Sequence, residues 1–419
     1  YRAAYDILLS QPETPERDRD LLELLNEWSL LHYYTAEINV MDRLMTQHSG
    51  LLDSVLDPEL CGMWLTWHCF VAYSTNKFEE SFAAADRAIA LGEECGSMRV
   101  LAYAYTQKAW AFNGLSRGRD FTAFAEKALS LVDGLKDERD ARYIRLKAAC
   151  GASLGRLFIG DLIKSRALAH ELLDFAIESG SARALSFAHL ALSQISALTG
   201  DAPRALVEVR QARAAALDPF YKSIAEAWLG SALVNGGELE EARAVILPAM
   251  RFGQEHGTTA LVRFQQLNEA MLNIAEGELT RGMDQLAAIK RSGTENATGV
   301  AFVAGVNEAV IYARIATGEG AGKPSVGTLV KNAGFVIGRA RKASQIAHEA
   351  LTELSENLPA DREGIRFVVE LELAKLLIKR KERDEARKHI EEAINYLQPL
   401  GDGPGIRNAR ALLATLDVK

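Results

Sequence analysis

Apolar residues recur every third or fourth position through one stretch after another of this chain, and short polar or glycine-bearing breaks separate the stretches. That spacing lays an apolar stripe along a helix. It predicts a first helix over 17–34 with its return over 38–52, then a pair at 58–73 and 78–94. Further first helices are expected near 98–116, 139–158, 182–198, 220–235, 258–276 and 299–317. Their second helices fall near 120–133, 162–178, 203–216, 239–255, 280–291 and 336–357, and a last pair follows at 362–379 and 384–398. No convincing run of alternating β-branched residues competes with these helices.

The breaks have a period. Gly118, Gly160, Gly200, Gly237, Gly277 and Gly318 stand 42, 40, 37, 40 and 41 residues apart, most of them followed by a charged or acidic residue. Five positions after a glycine comes a small residue (Ala123, Ser165, Ala205, Ala242, Gly282), and twelve before that comes another (Ala111, Ser153, Ser193, Gly230, Ala270). The frame extends outward with Asn76 and Lys381 in the glycine position, Cys69 facing Ser81 and Ala374 facing Ala386. Two antiparallel helices joined by a tight turn meet these requirements. Glycine ends the first helix in the left-handed region, an acid favours the N-terminus of the second, and small residues let the backbones cross closely. A helix pair cannot bury its apolar face alone, so neighbours stack. The predicted fold is all-α, an α-α superhelix of about nine antiparallel helix pairs forming one solenoid over 1–419. An irregular insertion is expected at 319–330, rich in glycine and holding Pro324, and a capping helix at 405–419.

Composition narrows the partners. A single core stops growing near ~250–300 residues, whereas a solenoid of 419 escapes that limit. A net charge of −8 disfavours a nucleic-acid footprint, and the basic residues of 379–388 are interleaved with acids. No uninterrupted run of eighteen apolar residues is read, so no membrane span is expected, nor is an export signal visible. Four cysteines without C-x-x-C spacing suit a reducing, cytoplasmic setting. The chain opens at Tyr1, which is expected to mark a piece of a longer polypeptide with a domain upstream.

Reaction chemistry finds no foothold. Gly318–Ser325 resembles a phosphate loop, but Thr317 stands where its first glycine belongs and Pro324 follows Lys323 where Ser or Thr is needed. Cys61, His68 and Cys69 approach a metal cluster without a fourth ligand. Neither a nucleophile elbow nor an outstanding carboxylate pair is present. No catalytic residue, metal or cofactor is therefore expected.

The first helices should line the concave side. Counting from each small crossing residue, the inward strip includes Met63, Phe70, Tyr73, Tyr105, Lys108, Phe112, Lys147, Leu154, Phe187, Gln194, Phe264 and Met271. It is apolar and aromatic, with Lys108 and Lys147 as its cations. Two readings stand side by side: an open groove for an apolar helix or extended peptide, or a buried core in a tight superhelix.

Leu229-Gly230 followed by Ala242 and Ala249 resembles the tetratricopeptide signature, although the period exceeds the usual ~34. The segment Leu8–Arg19, running into Leu21–Leu25, resembles the start of the helical tail in large bacterial signalling proteins. In those, a cyclase-type domain and an ATPase module precede the tail, and regulators of the maltose-activator type carry related tails. The resemblance implies a non-catalytic scaffold or sensor that binds a protein or peptide, including the upstream domains of its own polypeptide. The alternative is an inducer sensor with a pocket among the first helices.

Overall fold

The computed structural model of the protein describes residues 1–292, 298–319 and 332–417. Among the described residues every regular element is helical. After α1 (Arg2–Ser10), first and second helices alternate: α2 (Pro15–Thr35) with α3 (Ile38–Gln47) and the single turn α4 (Leu51–Ser54), then α5 (Pro58–Ser74) with α6 (Phe78–Cys95). Next come α7 (Met98–Gly114) with α8 (Gly118–Ser130), α9 (Glu138–Phe158) with α10 (Leu162–Ser179), and α11 (Ala182–Leu198) with α12 (Ala202–Ala215). They are followed by α13 (Pro219–Gly236) with α14 (Leu239–His256), and α15 (Thr259–Ala275) with α16 (Leu279–Ser292). The chain continues through α17 (Gly299–Thr317), α18 (Ala333–Gly338), α19 (Ala343–Asn357), α20 (Arg366–Arg380), α21 (Arg383–Leu397) and α22 (Pro404–Asp417).

The residues at the turns explain why helices stop where they do. Gly160, Gly200, Gly237, Gly277 and Gly318 are left-handed, and Asn76 and Lys381 take the same conformation in their place. A side chain in that region costs roughly 1–2 kcal/mol, which glycine avoids. Gly118 departs from the pattern: Ser116 supplies the left-handed residue there, and Gly118 opens α8. Asp161 and Asp201 accept the N–H of Lys164 and Arg204 as caps, whereas Glu238 makes no side-chain cap and binds Arg210 instead.

Small residues twelve apart mark the crossings within a pair. Ser153 Oγ donates to the Ser165 carbonyl and Ser193 Oγ to that of Ala205, each at 2.8 Å. Ser81 Oγ reaches the Cys69 carbonyl at 3.0 Å. A methyl group on Gly282 would lie 2.6 Å from the Ala270 carbonyl. The backbones touch, so only small side chains fit.

The solenoid closes on itself. Helix α2 packs against α13, the fifth first helix after it. The same step joins α5 to α15, α7 to α17, and α9 to the turn that opens α20. The superhelix therefore completes a turn in five pairs, and successive turns are in contact. Asn39 Nδ2 donates to the Glu255 carbonyl at 3.0 Å, and the Arg119 N–H to Asp361 at 2.7 Å. Arg362 reaches the Leu115 carbonyl at 3.3 Å, with its guanidinium 3.9 Å from the Phe302 ring centre.

Glycines let the two turns approach. A Cβ on Gly118 would fall 2.6 Å from the Asp361 carbonyl, and one on Gly364 would run into the Leu157 carbonyl. Neither obstacle is a side chain that could rotate away. Gly364→Val is expected to destabilise the fold by about 1–3 kcal/mol through overpacking, and to enlarge the radius of gyration measured by small-angle scattering. An unchanged scattering profile together with unchanged stability would remove the seam from this account.

Among the described residues, helix α17 is the one that bears on the membrane expectation. It is 19 residues long and apolar enough, by length and composition, to cross a bilayer. In the fold half of it is buried, and it packs against α16, α19 and α20 as the core helix of its unit. The insertion expected at 319–330 lies outside the described residues beyond Glu319, as does Lys323 of the phosphate-loop lookalike. The capping segment begins at α22, which packs on α21. Gly405, in its first turn, also abuts the Thr199 carbonyl of the earlier superhelical turn.

Candidate functional site

Because the turns close after five pairs, the concave strip faces its own kind rather than solvent. Tyr33 from α2 is the hub. Its ring centre lies 5.0 Å from that of Phe70, 5.5 Å from Tyr143 and 4.4 Å from Phe220. Its hydroxyl donates to Tyr221 at 3.3 Å, a contact between residues 188 apart in sequence. Trp67, Tyr103 and Phe187 extend the cluster, with Tyr103 stacked on Tyr143 at 5.0 Å and Phe187 against Tyr221 at 4.9 Å. Aromatic pairs of this kind add about 0.5–1.5 kcal/mol each beyond their burial.

At the centre lies a lysine. The Lys147 side chain is 2% exposed, and its ammonium group faces the rings of Tyr33, Phe70, Tyr143 and Trp110 at 5.0 to 5.7 Å. Its polar neighbours are neutral: Gln107 Oε1 at 3.3 Å and the Tyr143 hydroxyl at 3.5 Å. Gln107 is itself held by Tyr73, which donates to its Oε1, and by its own Nε2 donating to Tyr143 at 3.0 Å. Cation–π attraction offsets part of the cost of burying a charge, but no carboxylate is bonded to the amine. Burial therefore pulls the Lys147 amine down to about 7. The same burial pushes the Cys69 thiol up to about 12 and raises the phenols of Tyr33, Tyr73, Tyr143 and Tyr221.

The twelve residues of the expected strip divide. Met63, Phe70, Phe112, Lys147, Leu154, Phe187 and Gln194 are buried, while Tyr73, Tyr105, Lys108, Phe264 and Met271 are half-buried. Phe70, Tyr73, Lys147 and Phe187 share the central cluster. Tyr105, Lys108 and Phe112 sit apart, around Phe124 and Phe82, where Lys108 pairs with Asp86 and lies 4.6 Å over the Phe124 ring. Phe264 packs on Trp228 at 4.6 Å. Seven of the strip residues thus lie in packed interior; at Phe70 the ring of Phe220 from the next superhelical turn fills the space a peptide would take, whereas Phe112 is covered within its own turn by Phe82 and Phe124.

Tyr33, Trp67, Tyr103, Gln107, Trp110, Tyr143, Phe220 and Tyr221 belong to the cluster and were not among the candidates. A signal for them is present in the chain. A first helix such as Cys61–Ala72 carries no polar face, and a helix apolar all round is buried all round.

Other chemistry stays dispersed. Cys61 contacts the Val55 carbonyl, Cys69 meets Ser81, and His68 is half-buried with its pKa lowered by burial. Among the described residues no His, Cys, Asp and Glu cluster could hold a metal. The buried acids are paired: Glu208 with His189, Asp140 with Arg99 and Tyr103, Glu370 with His389, Arg366 and Ser355, and Glu372 with Lys375. Two of these form one clasp with its ends exchanged. His189 and Glu208 occupy the places in α11 and α12 that Glu370 and His389 occupy in α20 and α21.

No family model matches the chain, and no curated protein matches it. Among solved structures it is similar to a Rap protein complexed with competence and sporulation factor, at 10% identity over 95% of this chain and 98% of that one, TM-score 0.41. It is also similar to the human IFIT1 dimer with m7Gppp-AAAA (13% identity, 91% and 75% covered, TM-score 0.43) and to yeast Tom70 (12% identity, 96% of each, TM-score 0.25).

Proposed function

We propose that this chain is a non-catalytic protein-interaction scaffold that meets its partner on the outer faces of its second helices. One observation carries the reading. Seven of the twelve strip residues are buried in internal packing, while large apolar side chains stand out on successive second helices. Ile163 and Ile177 of α10 are 54% and 66% exposed, Val207 of α12 is 54% exposed, and Leu217 just beyond it is 76% exposed. Ile163 and Ile177, fourteen residues apart, fall on one side of α10 because four helical turns separate them. Apolar residues held out of the core in this way suit a protein interface. The likeness of Leu8–Arg19 to the opening of signalling tails supports a place in signal transduction.

The test is differential capture by the tagged protein. Ile163→Glu/Ile177→Glu is expected to lose a partner at least tenfold, while Leu56→Glu, altering a residue 95% exposed before α5, retains it. Equal capture by both variants would sink the outer-face reading.

A further inference from the structure

We propose that closure of the superhelix around Lys147 is a proton-sensitive latch: the rings that cage its amine rest on the junction of α2 and α13, and acidification loosens that contact.

The geometry comes first. Lys147 sits one ring away from the junction of the two superhelical turns. Tyr33 and Phe70 face its amine nitrogen at 5.0 and 5.6 Å, and both rings rest on Phe220 of the next turn, at 4.4 and 5.6 Å. These two rings are the walls of the cage that touch the next turn, so moving them to admit water to a charged Lys147 disturbs the contact with Phe220. The groups facing it keep one charge state through neutral pH. From α2 comes Tyr33, from α5 Cys69 and Tyr73, from α9 Tyr143 and Cys150, and from α13 Tyr221, and burial raises every one of these acids. From α7 come Gln107 and Trp110. Charges further out are already paired: Lys108 with Asp86, Arg99 with Asp140, Arg183 with Asp218, and His189 of α11 with Glu208. Lys147 is thus the group of this cluster whose charge changes near pH 7.

The sign follows from linkage. In the open form the amine meets water and recovers an ordinary lysine value near 10.5, so the open form binds the proton more tightly. Falling pH favours opening, by up to tenfold per unit between about 10.5 and 7 and no further below that. From pH 9 to pH 6 the opening equilibrium rises roughly a hundredfold. This latch does not depend on which face receives a partner.

Two measurements on the full chain decide it. Titration of the Lys147 Cε resonance in ¹³C-lysine-labelled protein is expected to show a midpoint near 7. Amide exchange in α2 and α13, corrected for the intrinsic chemical rate, is expected to lose roughly a hundredfold of protection from pH 9 to pH 6. Lys147→Met removes the titrating group, and its protection should be flat over that range. Lys147→Gln, which keeps a hydrogen-bonding head without the charge, stands in if the methionine variant fails to fold. A Cε midpoint near 10, or protection with the same pH profile in wild type and variant, would overturn the latch.

Discussion

Phe70→Ala is expected to lower the unfolding free energy by about 3–5 kcal/mol, the usual cost of deleting a buried phenylalanine ring. The residue is fully buried, and its ring contacts Tyr33, Tyr73 and Phe220 at 5.0 to 5.6 Å. In an open solenoid each repeat touches its neighbours alone, so truncating one inward ring weakens one unit. Here Phe220 belongs to the next superhelical turn, and loss of the Phe70 ring empties a space that two distant units share. Urea unfolding followed by tryptophan fluorescence should show the loss, with Phe264→Ala, at a half-buried site, costing less. Were Phe70 part of an open groove, the variant would keep its stability and lose a ligand instead. An unchanged midpoint would therefore restore the groove and remove the closed core.

That contrast marks what the sequence discloses. The unit frame was legible because its determinants are local. Ser153 must be small where it meets the Ser165 carbonyl, and Gly282 must lack a side chain where it meets that of Ala270. Such constraints recur at a fixed spacing of twelve, and a reader can count them. Closure was not legible, because it accumulates from small rotations between pairs. No single residue encodes that α2 will meet α13 rather than solvent. Its traces are nonetheless on the chain. Gly364 and Gly405 fall outside the repeat's glycine position, and each abuts a carbonyl of the earlier turn.

The inward register is incomplete for a related reason. Counting three and six positions back from a crossing assumes that one stripe of each first helix is buried. In α9 the buried positions run without a break from Leu146 to Gly155, so there is no single stripe to count. Lys147 fell on the strip by that count, but its surroundings could not be inferred. Its cage draws Tyr33, Phe70, Trp110 and Tyr143 from four different first helices. A rule that reads one helix at a time cannot assemble such a site.

Asp140→Ala should also destabilise the protein, by a different route. The Asp140 side chain is 1% exposed and accepts hydrogen bonds from Arg99 Nε at 2.6 Å and the Tyr103 hydroxyl at 2.7 Å. Asp140 is buried but the Arg99 side chain is 32% exposed, so water can solvate the guanidinium left behind; the loss is that of a charge-assisted bond plus an orphaned phenol, about 1–3 kcal/mol. Arg99 keeps only a 3.8 Å approach to Glu27, and the phenol of Tyr103 loses its acceptor. Asp140→Asn preserves shape and one acceptor, and about half of that loss should return, since a neutral hydrogen bond is worth about 0.5–1.5 kcal/mol. The consequence reaches the interior, because Tyr103 stacks on Tyr143 at 5.0 Å and Tyr143 is one wall around Lys147. A Tyr103 ring without its anchor no longer fixes that wall, and water gains access to the amine. The Lys147 Cε midpoint in Asp140→Ala should accordingly move up from about 7 toward the ordinary lysine value. A variant that loses stability with that midpoint unmoved would show that Asp140 braces the outer helices and has no hold on the lysine.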